Sequence, residues 1–375
     1  MKRRLAALVP LLASVVALSA APAGAKPPPS APPEFFGISP QTALTDKDAA
    51  YMRAGHIGAL RIPVSWPTVQ PSASGGYNWA ELDQIVAMAT RAGLRVLPFF
   101  YGTPRWLARK PTTLPIDSAK ARKAWVAFVE AAVKRYGPGG EFWARHSPAS
   151  AAVNYEPAIP TPAPIRTWQI WNEANFFYFA YPASPGRYAR LLKLSSPAIK
   201  GVDPGAKVVL TGLFGKPNPR SPRGMPAARF LEALYRVPGI KSSFDGVALH
   251  PYAVDTETLE ELVEEFHQVT TENHDRVGLY ITEMGWGSQN DFQHDAFEQG
   301  IQGQVRQLRG AYTYLLENRN RLDLKQVYWY SWKDNPAYVA CDFCDSVGLF
   351  RAGKAFKPKP AWHAFVALSG GRARP

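Results

Sequence analysis

Short apolar runs of strand length alternate with amphipathic stretches of helical period along almost the whole chain. The strand candidates are 35–39, 59–64, 96–101, 167–171, 207–213, 244–250, 279–283 and 326–332. Most of them lack polar alternation, which is how strands covered on both faces read. Between them lie helical stripes. Asn78 offers an N-cap for a helix through Ile85, Val86 and Met88 that stops at Gly93. Ser118 caps a second, with Trp125, Phe128, Val129, Ala132 and Val133 on one face and Gly137 at its end. Further stripes include Leu191–Leu192, Phe230 to Tyr235, Leu259 to Phe266, Val305 to Leu315 and Trp362 to Leu368.

Strand and helix alternating about eight times predicts a parallel sheet closed on itself, an α/β fold of the (β/α)8 or TIM-barrel class in one domain. An open doubly wound sheet would want a glycine-rich phosphate loop after its first strand, and Gly37-Ile38-Ser39-Pro40 is not one. The Pro/Ala-rich segment Pro138 to Pro164 leads from helix to strand, so it belongs to the bottom face. The chain's 375 residues suffice for one such barrel.

The N-terminus speaks to compartment. Lys2, Arg3 and Arg4 precede an apolar stretch from Leu5 to Leu18, and Ala23-Gly24-Ala25 supplies small residues for cleavage. Residues 1–25 thus predict a signal peptide, and an exported or cell-envelope protein. Residues 26–34 are proline-rich and read as an exposed linker, which leaves 35–370 for the barrel. No later stretch is long and apolar enough to span a membrane. The formal charge is +13, or about +10 once the three signal-peptide cations are removed. The remaining Lys and Arg are scattered, which predicts a solvated surface and no nucleic-acid partner. Cys341 and Cys344 are the two cysteines. Their spacing allows redox chemistry or half a zinc site, but export and the lack of a second pair favour a local disulfide.

In such barrels the chemistry sits at the C-terminal strand ends. The second strand leads into Leu-Arg-Ile-Pro-Val-Ser-Trp, with Arg61 and Trp66. The third leads to Trp106, and the fourth ends Trp171-Asn172-Glu173. The sixth carries His250 and Tyr252, the seventh Thr282-Glu283-Met284-Gly285-Trp286, and the eighth Trp332. Two carboxyl groups in one mouth meet the need of glycoside hydrolysis for one proton donor and one nucleophile or base. Their environments must separate their pKa values. Arg61 would keep a neighbouring carboxylate ionised, Tyr252 could hydrogen-bond it, and enclosure would raise the pKa of Glu173.

With these motifs the sequence resembles the clan of retaining barrel glycosidases that includes cellulases, β-mannanases, β-xylosidases and α-L-iduronidases. The resemblance runs from Phe35 to about Leu368. It implies that Glu173 is the acid/base and Glu283 the nucleophile, and that Asn172 holds the sugar 2-hydroxyl. It further implies that Arg61 and Tyr252 contact the nucleophile, that His250 lies beside the acid/base, and that Trp332 floors the reacting-sugar subsite. Where cellulase-type members often carry a His after the third strand, this chain has Phe99 to Trp106 without one, which points to a xylosidase-like or less studied branch.

Trp286 and Trp106 follow strand ends and are candidate sugar platforms, while Trp125, Trp143 and Trp362 read as packing. The loop Phe176 to Tyr181 reads equally as a subsite wall or as a local hydrophobic cluster. No metal constellation and no cofactor is indicated, and the partner expected is a poly- or oligosaccharide. A non-catalytic carbohydrate-binding barrel would not need both Glu residues. A transglycosylase would use the same residues with a sugar hydroxyl in place of water. Retention predicts carboxyl groups about 5 to 5.5 Å apart.

Overall fold

The computed structural model describes residues 30–375 apart from 155–156, 219–220, 292–294 and 340. Residues 1–25, expected to form a signal peptide, and residues 26–29 of the expected linker lie outside the described residues. The segment expected to be an exposed linker packs on the barrel at its end, since Ala31 is buried and the Pro33 carbonyl accepts the Gly58 amide at 2.8 Å.

Eight strands form a closed barrel in chain order. They are β1 (Phe36–Ile38), β2 (Ala59–Ser65), β3 (Arg95–Tyr101), β4 (Thr167–Ile170), β5 (Lys207–Phe214), β6 (Gly246–His250), β7 (Gly278–Met284) and β8 (Leu324–Trp329). Every pairing is parallel, and β1 closes on β8 through Gly37 opposite Tyr328. The predicted (β/α)8 class is the observed one. The predicted strands recur within a few residues, and the largest shift is in β8, which ends at Trp329.

Helix starts follow local chemistry. Ser118 accepts the Ala121 amide at 3.1 Å at the head of the helix Ala119–Tyr136. Thr45 and Asp48 form a reciprocal capping box before Asp46–Ala54. The Asn78 expectation is off by one residue: Trp79 holds the cap position, and Asn78 Oδ1 accepts the Ala80 amide at 3.1 Å. The connection after Gly137 contains two short helices, Glu141–Arg145 and Pro148–Asn154, too brief to show a period in sequence.

The barrel interior is layered. Ala59, Leu97 and Tyr328 form one apolar cluster and Val209, Ala248 and Tyr280 another. Side chains alternate inward and outward along a strand, so two residues further on the next inward layer appears. From Ala59 that step reaches Arg61, from Ala248 it reaches His250, and from Tyr280 it reaches Thr282. The interior therefore turns from apolar to polar toward the C-terminal strand ends. The outer faces pack against the helices, as where Phe100 meets Phe128 of the helix Ala119–Tyr136 at 5.6 Å.

Candidate active site

Arg61, on β2 and fully buried, organises the mouth. Its Nη1 donates to Glu283 Oε1 at 2.5 Å and to Ser39 at 3.3 Å, Nη2 donates to Asn172 Oδ1 at 2.7 Å, and Nε donates to Gln169 Oε1 at 2.7 Å. The guanidinium sits 4.0 Å above the Phe99 ring. A planar fork with four of its five N–H groups engaged is held in one place.

Glu283 also receives the Tyr252 hydroxyl, at 2.9 Å on Oε2. By strict alternation Thr282 and Glu283 would face opposite sides of the sheet. The β7–β8 register shifts between Ile281 and Met284, and this irregularity lets both reach the interior. On β4 the chain leaves the strand through two left-handed residues, Trp171 at φ 72° and Glu173 at φ 40°. Non-glycine residues at positive φ are costly and cluster where side chains must be aimed.

His250 joins the two sides. Its Nδ1 lies 2.7 Å from Glu173 Oε1 and 3.6 Å from Glu283 Oε2, and its Nε2 lies 2.9 Å from Thr282 Oγ1. One donor atom each from Glu173, His250 and Glu283 fall within 4.8 Å of one another. Among the described residues this is the one group whose donor atoms could close on a metal ion. Arg61 and Tyr252 already engage Glu283, Thr282 engages His250, and His250 engages Glu173 Oε1, so the donor set fits proton handling better than ligation.

Electrostatics separates the members. Burial, then the negative charge of Glu283, raises the Glu173 pKa well above the usual carboxylate range, against the pull of Arg61. Burial and the Arg61 charge push His250 well below its ordinary value, so the imidazole is neutral. Burial keeps Tyr252 a phenol, and Tyr101, beside Glu173, is raised to about 12. Glu173 is 4% and Glu283 9% exposed, so the site is a nearly enclosed mouth.

Arg61, Asn172, Glu173, His250, Tyr252 and Glu283 thus converge. Three tryptophans expected in the cleft do not. Trp332 is fully buried, donates to Asp48 Oδ1 at 2.7 Å and packs on Phe350 and Trp362. Because β8 ends three residues before it, it turns outward beneath the outer helices rather than flooring a subsite. Trp286 is buried with its Nε1 on the Ala253 carbonyl at 2.7 Å. Trp66 is buried and stacked 5.2 Å from Phe128. Neither presents a face to a sugar. Trp106 is half-buried, bonds the Gln70 carbonyl at 3.1 Å and borders a shallow hollow of about 360 Å³. A cleft of about 840 Å³ along the helix Ala80–Arg91, lined by Tyr77, Trp79, Arg91 and Arg135, contains none of the mouth residues.

The structure adds residues that sequence reasoning missed. Asn175 clamps the β5 end, donating to the carbonyls of Phe214 and Met225 and accepting the Phe214 amide. Gln169 and Thr282 join the polar layer. Phe214, Tyr330 and Phe343 surround Tyr252 at 5.7, 6.2 and 5.5 Å. A signal existed for Gln169 and Thr282, as polar residues inside otherwise apolar strands. Phe176 stands 5.2 Å from Phe214, while Tyr178 stacks 4.2 Å from Phe177 and is exposed, so the loop after Glu173 both packs and faces solvent. Cys341 and Cys344 are disulfide-bonded beside this cluster, with Cα atoms 5.4 Å apart.

No protein-family model matches the chain, and no curated protein matches its sequence. Solved structures do match its fold. The barrel is one that glycoside hydrolases use. A family 39 glycoside hydrolase from Bacteroides cellulosilyticus WH2 superposes at TM-score 0.61 and 20% identity, over 90% of this chain and 64% of that one. A monomeric β-xylosidase from Caulobacter crescentus CB15 gives 0.62 and 17%, over 93% and 70%. Xylanase 10B from Thermotoga maritima gives 0.58 and 14%, over 89% and 94%. The chain therefore spans just under two thirds of the first of these and nearly all of the last.

Proposed function

We propose that this protein is an exported O-glycoside hydrolase that works with retention, with Glu283 as nucleophile and Glu173 as acid/base. The observation that carries the reading is the approach of the two carboxyl groups, with one oxygen of each inside the 4.8 Å group that includes His250 Nδ1. Retaining enzymes hold their carboxyl groups about 5 to 5.5 Å apart, and inverting ones leave room for a water at about 6.5 Å or more.

Glu283, oriented by Arg61 and Tyr252, attacks the anomeric carbon. Glu173, protonated because it is buried beside Glu283, gives its proton to the departing oxygen. A covalent glycosyl-enzyme forms on Glu283. Burial still raises the Glu173 pKa, but esterification removes the part due to the Glu283 charge, so Glu173 becomes a better base and takes a proton from the incoming water. The Asn172 amide, fixed through its oxygen by Arg61, offers N–H groups to a sugar hydroxyl. Residues 1–25 would direct export.

The structural neighbours include a β-xylosidase and a xylanase, so β-xylosides and xylan head the substrate panel. The test is hydrolysis by the mature protein with Glu283→Ala in parallel, followed by NMR of the first-formed anomer. Hydrolysis lost in the variant, with the substrate's anomeric configuration in the product, supports the reading. Equal rates in both proteins, or the opposite anomer, overturns it.

A further inference from the structure

Beneath the mouth, hydrogen bonds link one carboxylate to the other through the barrel. Arg61 donates to Glu283 and, through Nε, to Gln169 Oε1 at 2.7 Å. Gln169 Nε2 lies 2.9 Å from the Leu210 carbonyl and 3.3 Å from Thr282 Oγ1. Thr282 Oγ1 is 2.9 Å from His250 Nε2, and His250 Nδ1 is 2.7 Å from Glu173 Oε1. Arg61, Gln169, Thr282 and His250 are all fully buried.

This chain has a direction. A guanidinium can only donate, so Gln169 accepts with its oxygen and turns its amide hydrogens toward Leu210 and Thr282. Thr282 accepts one of those hydrogens and keeps one of its own to give. Its other hydrogen-bond partner among the described residues is His250 Nε2. A buried hydroxyl accepting from both sides would leave its own hydrogen unmatched, which is disfavoured. We infer that Gln169 and Thr282 are positioning residues that hold neutral His250 as its Nδ1–H tautomer, donating to Oε1 of Glu173.

The inference rests on the reading of Glu173 as acid/base and says how that group is kept ready. The imidazole lone pair lies on Nε2, engaged by Thr282, so none faces Glu173 to take its proton. Oε1 is occupied by a donor in both protonation states, so the transferable proton sits on Oε2. Gly212 makes the arrangement possible, because a Cβ there would lie 1.9 Å from His250 Nε2 and 2.5 Å from Thr282 Oγ1. The ionisable groups around Glu173 are Arg61 on β2, Tyr101 on β3, His250 and Tyr252 at the end of β6, Glu283 on β7 and Tyr338 after β8. Within that set the Nδ1–H bond favours the Glu173 carboxylate. Cutting the relay lets protonated Glu173 donate to Nδ1 instead, and raises its pKa.

The test is a long-range ¹H–¹⁵N correlation spectrum of the histidine rings in the mature protein, with His250→Asn used to assign the signal. The expected result is a protonated Nδ1 and an unprotonated Nε2. Gln169→Glu, which reverses the hydrogen-bond direction, should move the proton to Nε2. Thr282→Ser should leave it on Nδ1. An Nε2–H tautomer in the wild type overturns the inference whether or not the protein cleaves glycosides, and so does an unchanged Nδ1–H in Gln169→Glu. The expected tautomers in a protein that hydrolyses no glycoside would uphold the relay and count against the functional reading alone. On a cleaved substrate, Gln169→Glu should move the basic limb of kcat/KM upward by roughly one pH unit, and Thr282→Ser should leave it in place.

Discussion

His250 Nδ1 stands 2.7 Å from Glu173 and 3.6 Å from Glu283, so one neutral imidazole edge faces two carboxyl groups at once. Because the ring carries no charge, it leaves the two groups to sense each other. Burial and the Glu283 charge together keep the proton on Glu173. Removing that charge as Glu283→Gln should therefore lower the Glu173 pKa. The check is a ¹³C titration of the labelled glutamate side chains. An unmoved or raised Glu173 titration would remove the coupling on which the proposed acid-to-base switch depends.

The same raised pKa is a stability statement. A group whose folded-state pKa lies above its unfolded value stabilises the fold at pH below the unfolded value, near 4.5 for Glu173, and loses that contribution as pH rises through the folded value. Gln at 173 mimics the protonated form at every pH. Glu173→Gln should therefore be more stable than wild type at about pH 8, with the difference closing toward about pH 4. Urea unfolding at the two pH values measures it. With Glu173 as the proposed general acid, activity should fall by about 10²- to 10⁴-fold in the same variant.

Gly212 lies outside the mouth proper yet touches both ends of the His250–Thr282 bond. Its conformation is one that any residue adopts, so the constraint is space alone. Gly212→Ala places a methyl group against a rigid ring and should cost about 1–3 kcal/mol, the range for overpacking a filled interior. It should also slow turnover by at least about tenfold, since displacing catalytic groups is expensive. Wild-type kinetics in this variant would mean that His250 has room to move.

Much of this was legible in the chain. The eight apolar runs gave the barrel because parallel buried strands have no polar alternation to blur. Glu173, Asn172, Arg61 and Glu283 stood out because strand ends are where a barrel exposes chemistry. The tryptophans misled because a strand end can shift by a few residues, and in β8 that shift turned Trp332 from inward to outward. Glu283 reaches the interior beside Thr282 through a register irregularity in β7, which no periodicity reports.

Trp332 provides a direct check of that correction. A sugar platform would raise KM when trimmed. A buried ring bonded to Asp48, which also pairs with Lys333 at 2.5 Å, would instead cost stability. Trp332→Phe keeps the packing but leaves the Asp48 carboxylate short of one donor. It should lose about 1–3 kcal/mol, the cost of an unmade buried hydrogen bond, with KM unchanged. Thermal unfolding and initial-rate kinetics together distinguish the two roles.

The disulfide ties the last loop to the chemistry. Phe343, between Cys341 and Cys344, packs 5.5 Å from the ring of Tyr252, whose hydroxyl reaches Glu283. Closing so short a loop restricts the unfolded chain by only about 2 kcal/mol, so reduction should leave the barrel folded. Its effect should fall on the site. With Phe343 released, Tyr252 loses one wall of its cage and Glu283 is held less firmly. Cys341→Ser/Cys344→Ser should therefore lower kcat with little change in melting temperature. Phe343→Ala in the oxidised protein should do the same, because the disulfide acts through that ring. A double variant with wild-type kcat would confine the disulfide to loop stability and detach it from Glu283.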